Sequence, residues 1–574
     1  MVSKVHKSHS LKFGGQVTRL AYLDAPTWDA EPSYNFNNMW DFLNDAPQLE
    51  SITADPRTGQ PSEFRKDDRQ NVFALFVQDD WKVRPNLTVN AGLRWEYFGG
   101  MTEKKGNEPN VRLGQGSSIL TDLYIKLGGS QVNPPKFNFG PQIGFAWSPV
   151  KYQNRLVVRG GAGIGFSGLE QAITTNTRNN PPYLANGSSL VGDQILYGAA
   201  SNIYQAGGLP ANPNMITSFN AANLPTNGIP TGITGLPANL PTAYVYRYSL
   251  EGQYDLGHQW VATVGYQGSK GRHLPLQNNL NNELAPAILA GQIAFNPIVN
   301  YIDWYEGTGH SNFNSILLEV RHQFAHTFEA DAQYRLAKST DDGSGPYTTT
   351  DYQFLPGYNH GPSDFDSRQM FKVFGVWSPV IFHGEQGWLE KAVGGWTLSP
   401  IFNLHSGFPF NPTYGGIGCN AFYQNSGNCN MRPAAYTGGA GSKQSTDSFK
   451  TAAGHFPKGG TAYFTPPAVV NGQAWTTDVA PTPSALPQTP GIDRNAFVGP
   501  RYSDLDLAMT KAFGLPTMKV LGENARLEIR ANAFNLFNKL NLTNVDTGIT
   551  DSTFGRANNV LGSRTVEVEA HFKF

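Results

Sequence analysis

The chain has 574 residues, of which only 15% are charged, 12% aromatic, 62 Gly and 39 Pro. Lys+Arg 43 against Asp+Glu 44 leaves a net charge of −1, without the basic excess of a nucleic-acid-binding protein. Mean hydropathy is −0.37 and no apolar run reaches the roughly 18 residues of a membrane helix, so a helical membrane protein is excluded. The neutral-polar, aromatic, glycine-rich balance fits a transmembrane β-barrel, or a large extracellular β-sandwich or propeller.

The opening MVSKVHKSHSLKFG has lysines with no apolar stretch behind them and does not read as a signal peptide. Strands are expected near 11–20, 71–82, 87–97, 137–147, 155–166, 244–254, 259–267, 312–324, 327–337, 369–378, 394–404, 503–513, 525–535 and 564–574. The clearest is the third. Leu87, Val89, Ala91, Leu93, Trp95 and Tyr97 are apolar, with Thr88, Asn90, Gly92, Arg94 and Glu96 between them. A strand sends alternate side chains to opposite faces, so one face is apolar and the other polar. The same alternation runs through Tyr244–Tyr254, Ile316–Phe324, Phe328–Leu336 and Val566–Phe574. In these five segments every charge falls on the polar face. Such runs are about ten residues long, the length that crosses a bilayer at a tilt.

Two places depart from the pattern. Lys511 shares a face with Leu505, Leu507 and Met509, which is tolerable near an interface where a long cationic side chain snorkels. Around Ala533-Phe534 the apolar parity shifts, predicting a bulge or the end of the lipid band. Between the strands, connections after 82, 147, 254 and 324 are short, those after 378 and 513 medium, and those after 97, 166, 267, 337 and 404 long. Turns at one end of a sheet and large loops at the other are the layout of an outer-membrane barrel, with long extracellular loops expected at 167–243 and 405–502.

Several motifs carry chemistry elsewhere but weakly here. Gly163-Ile-Gly165-Phe-Ser-Gly168 matches a dinucleotide fingerprint, yet sits late in an alternating strand, where small residues suit a curved wall better. Asp341-Asp342 and Asp364-Phe-Asp366 offer carboxylates for calcium but lack EF-hand spacing; solvated loop acids or partners of Arg368 are the plainer reading. Leu209-Pro210, Leu224-Pro225, Ile229-Pro230, Leu236-Pro237 and Leu240-Pro241 mark an extended stretch that either lines a ligand mouth or serves as a passive surface loop. Cys419 and Cys429 lie ten positions apart in one Gly/Asn-rich stretch, as a disulfide or as two free thiols, without zinc-site spacing. No nucleophile elbow or HExxH occurs, so no enzyme, metal or cofactor is expected.

Phe76-Val-Gln-Asp-Asp-Trp81-Lys with Leu87-Thr-Val-Asn-Ala-Gly-Leu-Arg94-Trp-Glu96 resembles a hairpin of TonB-dependent outer-membrane receptors. Arg526-Leu-Glu-Ile-Arg-Ala-Asn-Ala-Phe534-Asn-Leu-Phe537-Asn538 is similar to their penultimate strand. The opening His9–Gly14, the Gly-Gly-Trp396 strand and the terminal Phe574 fit the same family, whose Oar-like branch is the nearest in character. The resemblance implies an all-β transmembrane antiparallel barrel in the bacterial outer membrane. It implies 22 strands in such receptors, an N-terminal plug, a TonB box, and uptake of a scarce nutrient driven by the TonB complex. Here about fourteen strands are read, without plug or TonB box, so the chain 1–574 is expected to be the back two-thirds of such a barrel. A self-contained barrel would instead need strand 11–20 to close against 564–574. Phe574 is the expected signal to the barrel-assembly machinery. Outer-membrane lipid and a siderophore, oligosaccharide, cobalamin or peptide ligand are the expected partners.

On this reading the lumen-facing candidates are Arg94, Glu96, Arg247, Glu251, Glu319, Arg321, Glu329, Asp331, Arg335, Arg530, Glu567 and Glu569, or else these form a structural ion-pair lining. Trp304, Tyr305 and Tyr347, read as loop residues, are candidates for stacking on a ligand. The alternative function is a passive porin-like pore, or a structural or adhesive barrel, without TonB coupling.

Overall fold

In a computed structural model of the chain, the described residues are all except 25–32, 45–48, 61–64, 154, 184, 191–215, 228–230, 326, 346–351, 381–392, 416–429, 437–463, 466–488, 515–524, 550, 552, 556 and 574. Fifteen long strands follow one another as an antiparallel meander: β1 (Val2–His6), β2 (His9–Asp24), β3 (Lys66–Arg84), β4 (Leu87–Phe98), β5 (Asn138–Trp147), β6 (Leu156–Ser167), β7 (Ala243–Gly257), β8 (Trp260–Asn279), β9 (Val299–Ala325), β10 (Phe328–Asp341), β11 (Gln369–Trp377), β12 (Trp396–His405), β13 (Tyr502–Gly514), β14 (Arg526–Phe534) and β15 (Thr565–Lys573). Three short loop strands join the same sheet, among them Thr231–Gly235, which runs parallel to the start of β9.

This differs from the sequence expectation in two ways. An additional strand, β1, precedes the first expected one. It pairs with β2 from Val2↔Phe13 to His6↔His9, while the other edge of β2 is held by β3. Both edges of 11–20 are therefore used, that strand does not close against 564–574, and among the described residues no register joins β1 to β15. The strands are also longer than the membrane requires: β8 has 20 residues and β9 has 27. Beyond the lipid band their backbone groups still pair with neighbours, but the apolar alternation that betrays a strand stops there.

Register confirms the two faces. Leu250, Tyr266, Ile316 and Leu336 form one row across β7–β10, with Val264, Leu318 and Tyr334 in the next. On the opposite face, Gln253, Thr263, Glu319 and Gln333 form a polar row. Val264 and Leu318 are 58% and 46% exposed, which in water would be unfavourable and in lipid is the solvated state. Trp81, Trp147, Trp260, Trp377 and Trp396 all lie at the turn end of their strands, and Tyr244, Tyr246 and Tyr248 toward the loop end, as two interfacial belts.

Lys511 joins the lower belt. Its ammonium lies 5.3 Å from the Trp396 ring centroid and donates to the Gly394 carbonyl, so the cation reaches the turn end as snorkelling requires. The parity shift at Ala533-Phe534 is the end of β14: its register to β15 is unbroken, and Asn535 then turns with φ 49°.

Connections at one end of the sheet are each shorter than the loops that flank them at the other. β7 and β8 are joined through His258 and Gln259, both at positive φ, a turn whose twist matches that of the strands it links. At the other end the loops fold upon one another. Val111, Leu120, Leu123 and Ile125 after β4, Leu224 and Ile233 after β6, Leu280 and Ile288 after β8, and Val299, Ile302 and Trp304 of β9 form one buried cluster. The apolar core thus sits among the loops, whereas the wall keeps its apolar residues outside.

Candidate ligand path along the concave wall and beneath the loops

The polar face of β3–β8 encloses a concavity of about 720 Å³. Gln78, Asn90, Gln142, Arg247, Ser249 and Gln267 reach into it over a floor thinned by glycines, among them Gly163 and Gly165. Those glycines belong to the fingerprint-like Gly163–Gly168, which lies in β6 between two antiparallel neighbours and so lacks the βαβ setting of a nucleotide site. Apart from Arg247, these side chains offer uncharged amide and hydroxyl donors and acceptors.

Along the same face part of the charge is paired and part faces uncharged neighbours. Arg94 Nε donates to Glu96 Oε1 at 2.7 Å, and Arg159 lies 3.5 Å from Glu251. Arg321 faces Asp331 across β9–β10, with Glu319 beside them. Arg530 Nε donates to the Asn532 side chain at 2.8 Å, Asn532 donates to Glu569 at 3.0 Å, and His571 contacts Glu569 at 2.8 Å. Glu567 lies opposite Asn532, Glu329 opposite Val376, and Arg335 opposite Leu317 and Met370. Partly solvated pairs contribute only about 0–1 kcal/mol each, so they hold the wall weakly.

Beneath the loops lies a smaller cavity of about 140 Å³, walled by Met101, Pro134, Leu169, Leu240, Pro241 and Leu274, with Gln131, Glu170 and His273 as polar contributors. Behind it a buried polar cluster ties the loops after β4 and β6 to β3. Lys66 pairs with Glu108 at 2.7 Å, both essentially inaccessible. Gln131 donates to Glu108 at 2.6 Å and to the Thr174 carbonyl at 2.7 Å, and Thr177 donates to Glu108 at 2.7 Å. Asp68 is fully buried beside them, with neither carboxylate oxygen hydrogen-bonded among the described residues. Burial pushes its pKa up to about 6 against the opposing pull of Lys66. In the loop after β8, burial, reinforced by nearby Glu306, pushes Glu283 up to about 7.

A family model described as an outer membrane beta barrel domain matches residues 1–567. The chain belongs to that family. No curated protein matches it. Among solved structures, the outer membrane transporter YddB from Escherichia coli is similar at 9% identity and TM-score 0.49, over 99% of this chain and 52% of that one. The siderophore receptor PiuA from Acinetobacter baumannii is similar at 9% identity and TM-score 0.43, over 99% and 54%. The ferripyoverdine receptor of Pseudomonas aeruginosa is similar at 12% and 0.43, over 97% and 45%. The chain spans about half the length of these structures.

In this outer-membrane barrel, two stacking candidates change place. Trp304 and Tyr305 lie in β9, not a loop, and are 3% and 0% exposed. Trp304 packs into the loop core, and Tyr305 sits against Ile173, Leu236 and Leu240 and accepts from Asn176 at 2.9 Å. They are buried because β9 runs up under the loops. Tyr347, Cys419, Cys429 and Phe574 lie outside the described residues. Of the proline-marked stretch, Leu240 and Pro241 line the small cavity, while Leu224 and Leu236 are buried in apolar clusters.

The loop acids are held chiefly by a residue that sequence reasoning missed. Arg494 donates to Asp341 at 2.5 Å and to Asp364 at 2.8 Å, tying the loop after β12 to the one after β10. Asp366 does meet Arg368, at 3.6 Å, and also accepts from the Ser339 amide at 2.7 Å. Asp342 accepts from His310 at 3.1 Å and His360 at 2.7 Å. Nothing local signals Arg494, since it lies 153 positions from Asp341. The alternation that marks strands is equally silent about Lys66, Asp68 and Glu108, which lie above the lipid band.

Proposed function

We propose that this chain forms the barrel wall of a TonB-dependent transporter, which binds a scarce nutrient at its extracellular loops and passes it to the periplasm with TonB-coupled energy. The observation that carries the reading is the combination of an amide-lined concave face with a loop assembly that folds over one end of it and leaves a cavity beneath. A surface built for adhesion has no need of a hydrogen-bonding inner wall. The likeness of the Phe76–Glu96 hairpin and the Arg526–Asn538 strand to receptors of this kind adds the energy-coupled mode. Polar-face residues such as Arg247, Gln142 and Gln267 would then contact the ligand during passage, while Glu96, Glu251 and Glu569 act with their cationic or amide partners as lining. The test is uptake by cells bearing the natural full-length protein, with the TonB complex intact or deleted, across a panel of siderophores, oligosaccharides, cobalamin and peptides. Uptake abolished by the deletion supports the proposal. Uptake that persists unchanged assigns a passive pore, and no uptake of any member leaves a structural or adhesive barrel.

A further inference from the structure

We propose that the outward-facing surface of β8–β10, just above the tyrosine belt, binds the phosphorylated headgroup of an outer-leaflet glycolipid. The register decides the face. Lys270 lies in a row with Tyr246, Asn312 and Thr340, and Arg272 opposite Tyr244, on the same side of the sheet as the lipid-facing row Leu250, Tyr266, Ile316 and Leu336. Lys338 lies one row below Thr340, opposite Asn314. These cations therefore point away from the lumen.

The height follows from the side chains below. Asn314 accepts from Tyr248 at 3.0 Å and from Tyr266 at 2.7 Å, which closes the apolar band with hydroxyls, as expected where lipid tails give way to headgroups. Tyr248 lies across Gly268, where a Cβ would come 2.5 Å from its ring, so the belt is flush with the sheet and leaves the surface above it accessible. Lys270 and its row are two residues beyond the Gly268–Asn314 row, about 7 Å along the strand.

Charge and shape point to an anion. Among the described residues Lys270, Arg272 and Lys338 have no carboxylate within ion-pair distance, whereas Arg69, on the same face farther along the sheet, is paired with Asp67 at 2.9 Å. Asp342, the acid in the same hollow, is engaged by His310 and His360. The hollow has a volume of about 530 Å³ and is lined by Lys270, Arg272, Asn312 and Thr340, whose side chains carry hydrogen-bond donors, and by His310 and His360, whose Nδ1 atoms face Asp342. Phosphate oxygens accept from such a set, and acyl chains hanging from the same molecule would run down over Ile316 and Leu336. A freely diffusing anion would use the donors but not the apolar rows beneath them; the arrangement of both on one face favours a lipid.

The experiment uses the full chain in detergent micelles and native mass spectrometry, with bisphosphorylated lipid A as the probe and its dephosphorylated form as control. The folded protein should retain the bisphosphorylated form about tenfold more strongly, and the triple variant Lys270→Gln, Arg272→Gln, Lys338→Gln should lose that preference. Heat-modifiable migration on gels reports whether the variant folds. Should it not, Lys338→Gln alone and Asn312→Asp, which places a carboxylate in the hollow, should each weaken retention of the phosphorylated form. Equal retention of the two lipids by the natural chain overturns the proposal, as does an undiminished preference in folded variants. Complete displacement of the lipid by equimolar inorganic phosphate would also overturn it, by assigning a site for soluble anions.

Discussion

Single residues in this barrel are governed by which solvent they meet. Trp304 is polarised between reading and outcome: an aromatic between two strand signals looks like a loop residue, yet β9 extends far enough to bury it in the loop core. Trp304→Ala should cost the loop assembly roughly 3–5 kcal/mol while leaving the wall intact. Limited proteolysis at rising temperature should show the loops cut earlier, with heat-modifiable migration unchanged. Arg494→Ala leaves the buried Asp341 carboxylate unpaired, a loss of about 3–5 kcal/mol, and the same assay should show it. The titratable groups add a pH dependence. Asp68 and Glu283 have pKa values raised by burial from 3.8 to about 6 and from 4.5 to about 7. The folded loops therefore hold protons that the unfolded chain has released, so their stabilising effect is present in acid and lost as pH rises through 6 to 7. Loop proteolysis should be slower near about pH 5 than near about pH 7.5, and Asp68→Asn should shallow that dependence. Equal rates at both pH values would show that these acids titrate normally.

At the level of strands, periodicity was enough to locate the segments that meet lipid, because a charge on the wrong face is strongly disfavoured there. Leu318 and Leu317 provide the sharpest comparison, since they are neighbours in β9 on opposite faces. Leu318→Arg should cost about 2–4 kcal/mol near mid-membrane, and Leu317→Arg, which faces the wet side, far less. Urea titration of each variant refolded into vesicles measures the difference; equal losses would contradict the assigned faces. Lys511 was legible for the same reason: its parity was wrong for lipid, and the only tolerable place for it was an interface. What could not be read was the upper half of β8 and β9, where burial comes from loops distant in sequence. Phe534 shows the other limit, because a parity shift marks either a bulge or a strand end until the partner register is known.

The molecule as a whole consists of a wall that is apolar outside and a loop assembly that is apolar inside. Its overall plan was visible in loop lengths, since short and long connections alternate from β1 to β15. The partners within the loop assembly were not, because Val111, Leu224 and Ile288 come from separate excursions of the chain and meet only once the wall aligns them. Salt separates the two parts experimentally. The wall's ion pairs are partly solvated and should screen at high ionic strength, whereas the buried Lys66–Glu108 pair should not. Added salt should therefore alter conductance or ligand passage through the lumen while loop proteolysis stays constant, a contrast read on one reconstituted sample. With the loops outside the cell, as proposed above, the inside-out relation between wall and loops also bears on how the cell surface is seen. A tangle of independent loops would present short linear epitopes, each open to escape by a local substitution. Loops cemented by a shared core present a shaped, discontinuous epitope instead, so antibodies or phages directed at it would lose their target through core changes such as those at Trp304 that never touch the recognised surface.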